Sequence, residues 1–210
     1  MREAYLEGKF VNFSKGRVYY GYSRDNNAVT IAAPKGSKWG VGMDFNVNPM
    51  ACVVFWYTTD DMHFYQEYEL PNADTEYACQ HLRGAFGEDL IAVFPDASGK
   101  SRGTNAPGGK SDFSILQSHG FRIFAHSANP PRKDRYNATN RMLSPGLGGR
   151  CGITINPKGC PKLLSYLDQY THEHMNAQEN MSHLLDAFSY PIAFLHPIIR
   201  PKIRLTQNFG

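Results

Sequence analysis

Apolar residues form three consecutive runs after residue 39, and they predict three successive β-strands at about residues 40–46, 50–58 and 62–69. A turn at Asn48-Pro49 separates the first two runs. The middle run, MACVVFWY, is apolar at every position, which is typical of a strand buried on both faces. The third run, HFYQEY, alternates polar and apolar side chains.

Strands alternate with helices in the remainder of the chain. The spacing of apolar residues predicts helices at about 73–86, 112–119, 133–143 and 161–170, and the first has Asn72 or Asp74 as a candidate N-cap. Short apolar segments predict strands at 90–94, 121–125 and 153–155, and a last helix at 181–190 is expected to stop or kink at Pro191. These elements predict an α/β domain, in which helices flank a mixed sheet.

The segment before residue 39 is less regular. Residues 10–13 and 17–22 flank Ser14-Lys15-Gly16, which predicts a β-hairpin, and residues 25–27 and 34–37 are typical of a linker. The 210 residues are enough for one domain.

Several features bear on where the protein works. No apolar run has membrane-spanning length and no signal-peptide pattern begins the chain, so the sequence predicts a soluble protein without a membrane partner. Four cysteines form no CxxC pair, and Cys52 and Cys79 lie in apolar segments. This usage argues against a disulfide framework and favours a reducing cytoplasm.

Charge is unevenly distributed along the chain. Residues 39–96 contain ten acidic side chains and one basic side chain, whereas residues 97–161 contain ten basic and two acidic ones. The segregation suggests one surface for cations and another for a polyanion. Solvated faces that happen to differ in charge are the alternative, and charge alone leaves it open.

Three aspartates lie in unusually apolar surroundings. Asp44, in VGMDFNVNP, ends the first predicted strand, and Asp96 follows the strand at 90–94, where open α/β sheets bind ligands. Asp186 lies in the apolar helix SHLLDAFSY, and His183 shares its helical face. A buried carboxylate needs a partner or a metal, and hard oxygen ligands favour magnesium or manganese over zinc. For Asp44 alone, a turn aspartate is the competing interpretation.

The order of these segments resembles the nuclease domain of a tailed-bacteriophage terminase large subunit, the DNA-packaging motor, in the RNase H-like superfamily. The resemblance covers about residues 39–196 and rests on GMDFNVNPMACVVF, VFPDASGKS, SDFSILQSHGF, DRYNATNRMLS and HLLDAFSYPI. It implies an RNase H-like fold, with three antiparallel strands followed by parallel ones. It also implies a metal-dependent, sequence-nonspecific endonuclease that cuts concatemeric viral DNA during packaging.

The resemblance further implies a catalytic metal site formed by Asp44, Asp96 and Asp186, with His183 at a position that is a metal-site histidine in some relatives. Two Mg²⁺ or Mn²⁺ ions are expected, and Asp44 is expected to be shared between them. His183 is an outer ligand, a proton carrier or simply a histidine bonded to Asp186. Without cations the clustered carboxylates are expected to repel one another and to form the site poorly.

Basic residues after Asp96 are candidates for gripping the DNA backbone without reading bases. They are Lys100, Arg102, Lys110, Arg132, Lys133, Arg135 and Arg141. Double-stranded DNA is therefore the expected substrate. The resemblance also implies three protein partners: the portal, the small terminase subunit and an ATPase domain of the same full-length protein. It implies that the protein works in the bacterial host cytoplasm and transiently at the procapsid portal.

No ATPase domain is present in this chain. Residues 1–38 are interpreted as the hairpin and linker that follow such a domain, residues 39–197 as the nuclease domain and residues 198–210 as a C-terminal tail. Two alternatives stay open at this point: another nuclease of the same fold, such as a junction resolvase, and a non-catalytic module that clamps DNA or docks on the capsid.

Overall fold

A computed structural model describes residues 16–46, 48–101, 110–177 and 181–198. The predicted strand at residues 10–13 lies outside these residues. Among those described, no helix is long and apolar enough to span a membrane.

Six strands form one mixed sheet in the order β5-β4-β1-β2-β3-β6. The strands are β1 (Lys38–Asp44), β2 (Met50–Tyr57), β3 (Met62–Leu70), β4 (Ala92–Pro95), β5 (Arg122–Ile123) and β6 (Ile153–Ile155). The first three pair antiparallel, while β4 runs parallel to β1, β5 to β4, and β6 to β3. The predicted fold class, a mixed sheet of the RNase H-like kind, is confirmed.

Helices cover both faces of this sheet. They are α1 (Arg24–Asn27), α2 (Thr75–Phe86), α3 (Asp112–Ser118), α4 (Arg132–Leu143), α5 (Pro161–Gln169), α6 (His172–Ala177) and α7 (Met181–Leu195). The sequence did not predict α1 or α6. The side chain of Asp74 caps α2 by accepting a hydrogen bond from the Tyr77 N–H at 2.7 Å, as one of its two candidate caps predicted.

Each face of the sheet packs against its own set of helices. Val41 and Met43 of β1 point to the α2 face, where the core includes residues of α2 and α3. Residues of β2 such as Ala51 and Val53 point to the α7 face, where the core includes residues of α4, α5 and α7. Because side chains alternate along a strand, Gly42 and Asp44 of β1 also point to the α7 face.

The last helix does not stop at Pro191, because α7 continues through this proline to Leu195, and the alternative expectation of a kink stays a prediction. Proline lacks an N–H, so the Ala187 carbonyl cannot receive the usual helical hydrogen bond from position 191. Gly42 lies directly against that carbonyl: an ideal Cβ built on Gly42 would be 1.9 Å from the Ala187 oxygen. The glycine therefore lets α7 lie against β1 at the point where a helix carbonyl lacks its usual partner at position 191.

The described part of the N-terminal segment packs onto the sheet domain. Residues 18–21 form a turn, so the strand predicted at 17–22 was wrong. Buried Asn27 donates hydrogen bonds to the carbonyls of Leu143 and Ile153 at 3.0 and 2.9 Å, and Ala28 forms a parallel bridge with Ile155. This segment thus shields the β6 edge of the sheet, although the proposed boundary at residue 38 stays a prediction.

Candidate metal centre

Two of the three aspartates lie side by side at one end of the sheet. Met43 of β1 pairs with Pro95 of the parallel strand β4, so the residues that follow, Asp44 and Asp96, are neighbours. The Asp96 N–H donates to the Met43 carbonyl at 3.0 Å, which extends this pairing beyond the strand. Both aspartates therefore lie at the carboxyl ends of adjacent parallel strands, where α/β sheets bind ligands.

Helix α7 brings the third aspartate and the histidine to the same place. The close approach of Ala187 to Gly42 places the preceding turn of α7 over the end of β1. Asp186 and Asp44 are both buried, with 9% and 7% of their surfaces exposed. Burial raises the pKa of Asp44 most, and the negative charges of Asp186 and Asp96 raise it further, so both carboxylates act on Asp44.

Asp44 is held by two side chains of α7. The Nδ1 atom of His183 lies 2.9 Å from Asp44 Oδ2, and the Tyr190 hydroxyl donates to Asp44 Oδ1 at 3.4 Å. Burial raises the pKa of Asp44 most, and the His183 hydrogen bond offsets part of that effect. The same hydrogen bond is the main reason why the pKa of His183 is also raised.

His183 is bonded on both of its ring nitrogens. Its Nε2 atom lies 2.8 Å from Asn46 Nδ2, so a neutral ring donates from Nδ1 to Asp44 and accepts at Nε2 from Asn46. The suggestion that His183 bonds to Asp186 was wrong, because its partner is Asp44. Asn46 gave no signal in the sequence beyond its place in a turn after β1.

Asp186 faces a buried cation. Nη1 of Arg135 in α4 donates to Asp186 Oδ1 at 2.7 Å, and the two side chains are only 4% and 13% exposed. Burial alone lowers the pKa of Arg135, but the charge and hydrogen bond of Asp186, together with the neighbouring tyrosines, outweigh this effect and the net shift is upward. The prediction that Arg135 grips the DNA backbone is corrected here, because its guanidinium is inside the protein and paired.

Asp96 is fixed by amide groups. Its Oδ1 accepts from the Ser98 N–H at 2.7 Å, which starts a 3-10 turn at Ala97–Lys100, and from Asn129 Nδ2 at 2.6 Å. Gly99 of this turn lies against Phe45, since a Cβ built on it would be 2.2 Å from the Phe45 ring. The loop after β4 is thus packed against the residue that follows Asp44.

A fourth carboxylate, which the sequence did not single out, lies in the same row. Asp44 pairs with Ala51 of β2, and Ala51 pairs with Glu69 of β3, so Glu69 points to the α7 face two strands away. Its charge contributes to the raised pKa of His183. Lys162 in the first turn of α5 donates to Glu69 Oε2 at 2.6 Å and is 59% exposed, which places a basic side chain at the rim of the site.

The other basic candidates within the described residues lie on the surface. Lys100, in the turn that follows Asp96, donates to the Ser127 carbonyl. Arg141 donates to the His196 carbonyl at 2.8 Å. Lys110, Arg132 and Lys133 are exposed, and Arg102 lies outside the described residues.

The donors at this site suit a hard divalent cation. Three carboxylates converge, and among the described residues Asp96 Oδ2 and Asp186 Oδ2 accept no hydrogen bond. In this structure Asp186 is bonded to Arg135, Asp96 to Asn129 and Asp44 to His183. Within the described ranges, no cluster of three or more His, Cys, Asp or Glu side chains has metal-binding geometry. The expectation that the site is poorly formed without cations stays a prediction.

Comparison with known proteins supports the fold alone. No protein-family model and no curated protein matches this sequence. The large terminase from a thermophilic bacteriophage, in complex with ADP, matches with a TM-score of 0.64 and 15% identity, over 91% of this chain and 50% of that one. The P22 large terminase nuclease domain matches with a TM-score of 0.63 and 11% identity, over 89% and 96% of the two chains.

A third similar structure contains a metal. The nuclease domain of the large terminase from bacteriophage SPP1, with bound Mn, matches with a TM-score of 0.54 and 14% identity, over 83% of this chain and 97% of that one. The chain thus spans about half of the large terminase from the thermophilic phage and nearly all of two isolated nuclease domains. The resemblance inferred from sequence is confirmed at the level of the fold.

Proposed function

We propose that this chain is the nuclease part of a phage DNA-packaging motor, a metal-dependent, sequence-nonspecific endonuclease that cuts concatemeric viral DNA. The observation that carries the proposal is the convergence of Asp44, Asp96 and Asp186 from β1, β4 and α7 on one end of the sheet. The terminase nuclease fold and the manganese in the SPP1 domain support it.

The three aspartates would hold two Mg²⁺ or Mn²⁺ ions, with Asp44 as the proposed shared ligand, since the charges of both Asp186 and Asp96 act on it. Divalent cations bound there would lower the pKa of the attacking water and would stabilise the negative charge that the phosphodiester gains in the transition state. His183 orients Asp44 through its Nδ1–H, and Asn129 and Arg135 fix one oxygen each of Asp96 and Asp186. His183 is therefore proposed as a catalytic-site residue that acts on Asp44.

The proposed partners rest on the likeness to large terminases. This chain spans about half of the large terminase from the thermophilic phage, which has been solved with ATP-γ-S and with ADP. We propose an ATPase domain elsewhere in the full-length protein, double-stranded DNA as substrate, and the portal and small terminase subunit as partners. Work in the host cytoplasm, transiently at the procapsid portal, is part of the same proposal.

Cleavage assays test this function directly. Because the ligands are oxygen donors, linear and circular DNA are expected to be cut with Mn²⁺ or Mg²⁺ and to stay intact in EDTA. Ca²⁺ is expected to bind but to support little cutting, since its looser coordination positions water poorly. Full activity in EDTA would contradict the metal requirement. Cutting restricted to branched DNA would indicate a junction resolvase, and binding without cutting would indicate a clamping module.

Surface lysines around the site are proposed to grip the DNA backbone. Lys100 follows Asp96 on one side of the row of acids, and Lys162 projects from α5 beside Glu69 on the other. Replacing either with alanine should weaken DNA binding in Ca²⁺ for unrelated sequences alike, and each lost contact should lower the salt slope by about 0.9.

Lys38 is the matched control for this experiment, because it is exposed at the opposite end of β1 from Asp44. Lys38→Ala is expected to leave both the affinity and the salt slope unchanged. A loss confined to one DNA sequence would mean that the two lysines read bases, and an unchanged slope would remove them from the DNA path.

A further inference from the structure

Arg135 is a permanent cation inside the candidate metal centre. Its Nη1 atom donates to both Asp186 Oδ1 and the Ser189 hydroxyl at 2.7 Å, and its guanidinium carbon lies 4.6 Å from the centre of the Tyr190 ring. Arginine does not lose its proton in proteins, so this charge is present whenever the protein is folded.

The guanidinium is linked to the rest of the site through Tyr190. The ring that packs on Arg135 carries the hydroxyl that donates to Asp44 Oδ1 at 3.4 Å. The Arg135 guanidinium therefore lies on the α7 face of the sheet, in contact with Asp186 and with the tyrosine that is bonded to Asp44. Three buried or half-buried carboxylates without a counter-charge would be strongly unfavourable, and Arg135 supplies one positive charge where no metal is bound.

We propose that Arg135 is a positioning residue that acts as the built-in counter-ion of Asp186 in the metal-free protein. It keeps the site assembled before cations arrive and lowers the affinity for them, because the guanidinium repels an incoming divalent cation. With Oδ1 of Asp186 bonded to Arg135, Oδ2 is the oxygen left to serve as a ligand. The inference rests on the metal-dependent function proposed above.

Metal binding and thermal stability, measured without DNA, test this role. Arg135→Met should lower the Tm of the metal-free protein by about 10 °C, because it leaves Asp186 buried without a partner. It should bind Mn²⁺ about tenfold more tightly in calorimetric titration. Saturating Mn²⁺ should then raise its Tm by about 4 °C more than it raises the wild-type Tm.

Two variants control for the loss of the arginine side chain. Arg135→Lys should recover the Mn²⁺ affinity and most of the stability, because a single nitrogen of Arg135 makes both hydrogen bonds and an ammonium group can replace it, although not the packing of the guanidinium on Tyr190. Arg141→Met removes an exposed arginine from the same helix, bonded to the His196 carbonyl, and should change neither quantity.

Equal Mn²⁺ affinity and equal Tm shifts in wild type and Arg135→Met would overturn the inference. If Arg135→Met does not fold, the double variant Arg135→Met/Asp186→Asn decides. It should regain wild-type stability without metal, and a double variant that stays unfolded would show that the arginine matters for packing alone. If the Arg135 variants do not behave as expected but the wild-type protein cleaves DNA with Mn²⁺, the proposed nuclease function stands and only the inference about Arg135 is overturned. A wild-type protein that binds no Mn²⁺ would overturn both the inference and the proposed function.

Discussion

Asp44→Asn is expected to reduce DNA cleavage by roughly 10⁴-fold, the scale of loss when a central catalytic group is removed. The fold should survive, because the amide oxygen can still accept the hydrogen bond from His183 Nδ1. Burial and the neighbouring acids raise the pKa of Asp44, so removing its charge should leave the Tm unchanged or slightly higher. Cleavage rate and melting temperature, each with and without Mn²⁺, are the measurements.

Asp60→Asn is the control for this substitution, because Asp60 is exposed in the turn between β2 and β3, at the other end of the sheet. It should cut DNA like the wild type. His183→Ala should lose about 10–100-fold, as is usual for a residue that orients a ligand. An active Asp44→Asn protein would mean that Asp44 only forms the turn after β1, where asparagine serves equally well.

Gly42→Ala is expected to damage both stability and activity, although the glycine contacts no proposed ligand. A Cβ at this position would be 1.9 Å from the Ala187 oxygen and 3.0 Å from Pro191 Cδ, and neither group can rotate away. Helix α7 must therefore move off β1, at a cost of about 3 kcal/mol, or roughly 6–12 °C in Tm. A shift of about 1 Å in Asp186 and His183 should cost about 100-fold in cleavage.

Gly84→Ala provides the matched comparison. Gly84 is exposed within α2, and a Cβ there would meet nothing within 4 Å. This substitution should stabilise the protein by up to about 1 kcal/mol, because alanine favours the helix. If Gly42→Ala behaved like Gly84→Ala in urea unfolding and cleavage, the close packing of α7 on β1 would not be what positions the site.

The sequence predicted the sheet and the places of Asp44 and Asp96 at the ends of two strands, because these features are determined by local patterns. The apolar run of β2 and the acids that end β1 and precede the loop after β4 are visible in single segments. Helix α7 was predicted too short, since proline at position 191 normally ends a helix and the compensating glycine is about 150 residues away.

The partners of the acids could not be predicted in this way. Arg135 belongs to a basic segment and was interpreted as a surface residue, yet α4 turns it towards Asp186, 51 residues away. The row from Asp44 to Glu69 depends on the register of three strands, and Asn129 comes from a loop. Such contacts join distant parts of the chain, so no local pattern indicates them.

Anomalous diffraction from crystals of the protein grown with Mn²⁺ tests the central claim most directly. Manganese peaks are expected between Asp44, Asp96 and Asp186, with Asp44 oxygen atoms about 2.1 Å from the metal. Crystals of Asp44→Asn should lack these peaks under the same conditions. Manganese bound elsewhere on the protein, while Asp186 stays paired only with Arg135 and Asp44 only with His183, would contradict a metal centre at this end of the sheet.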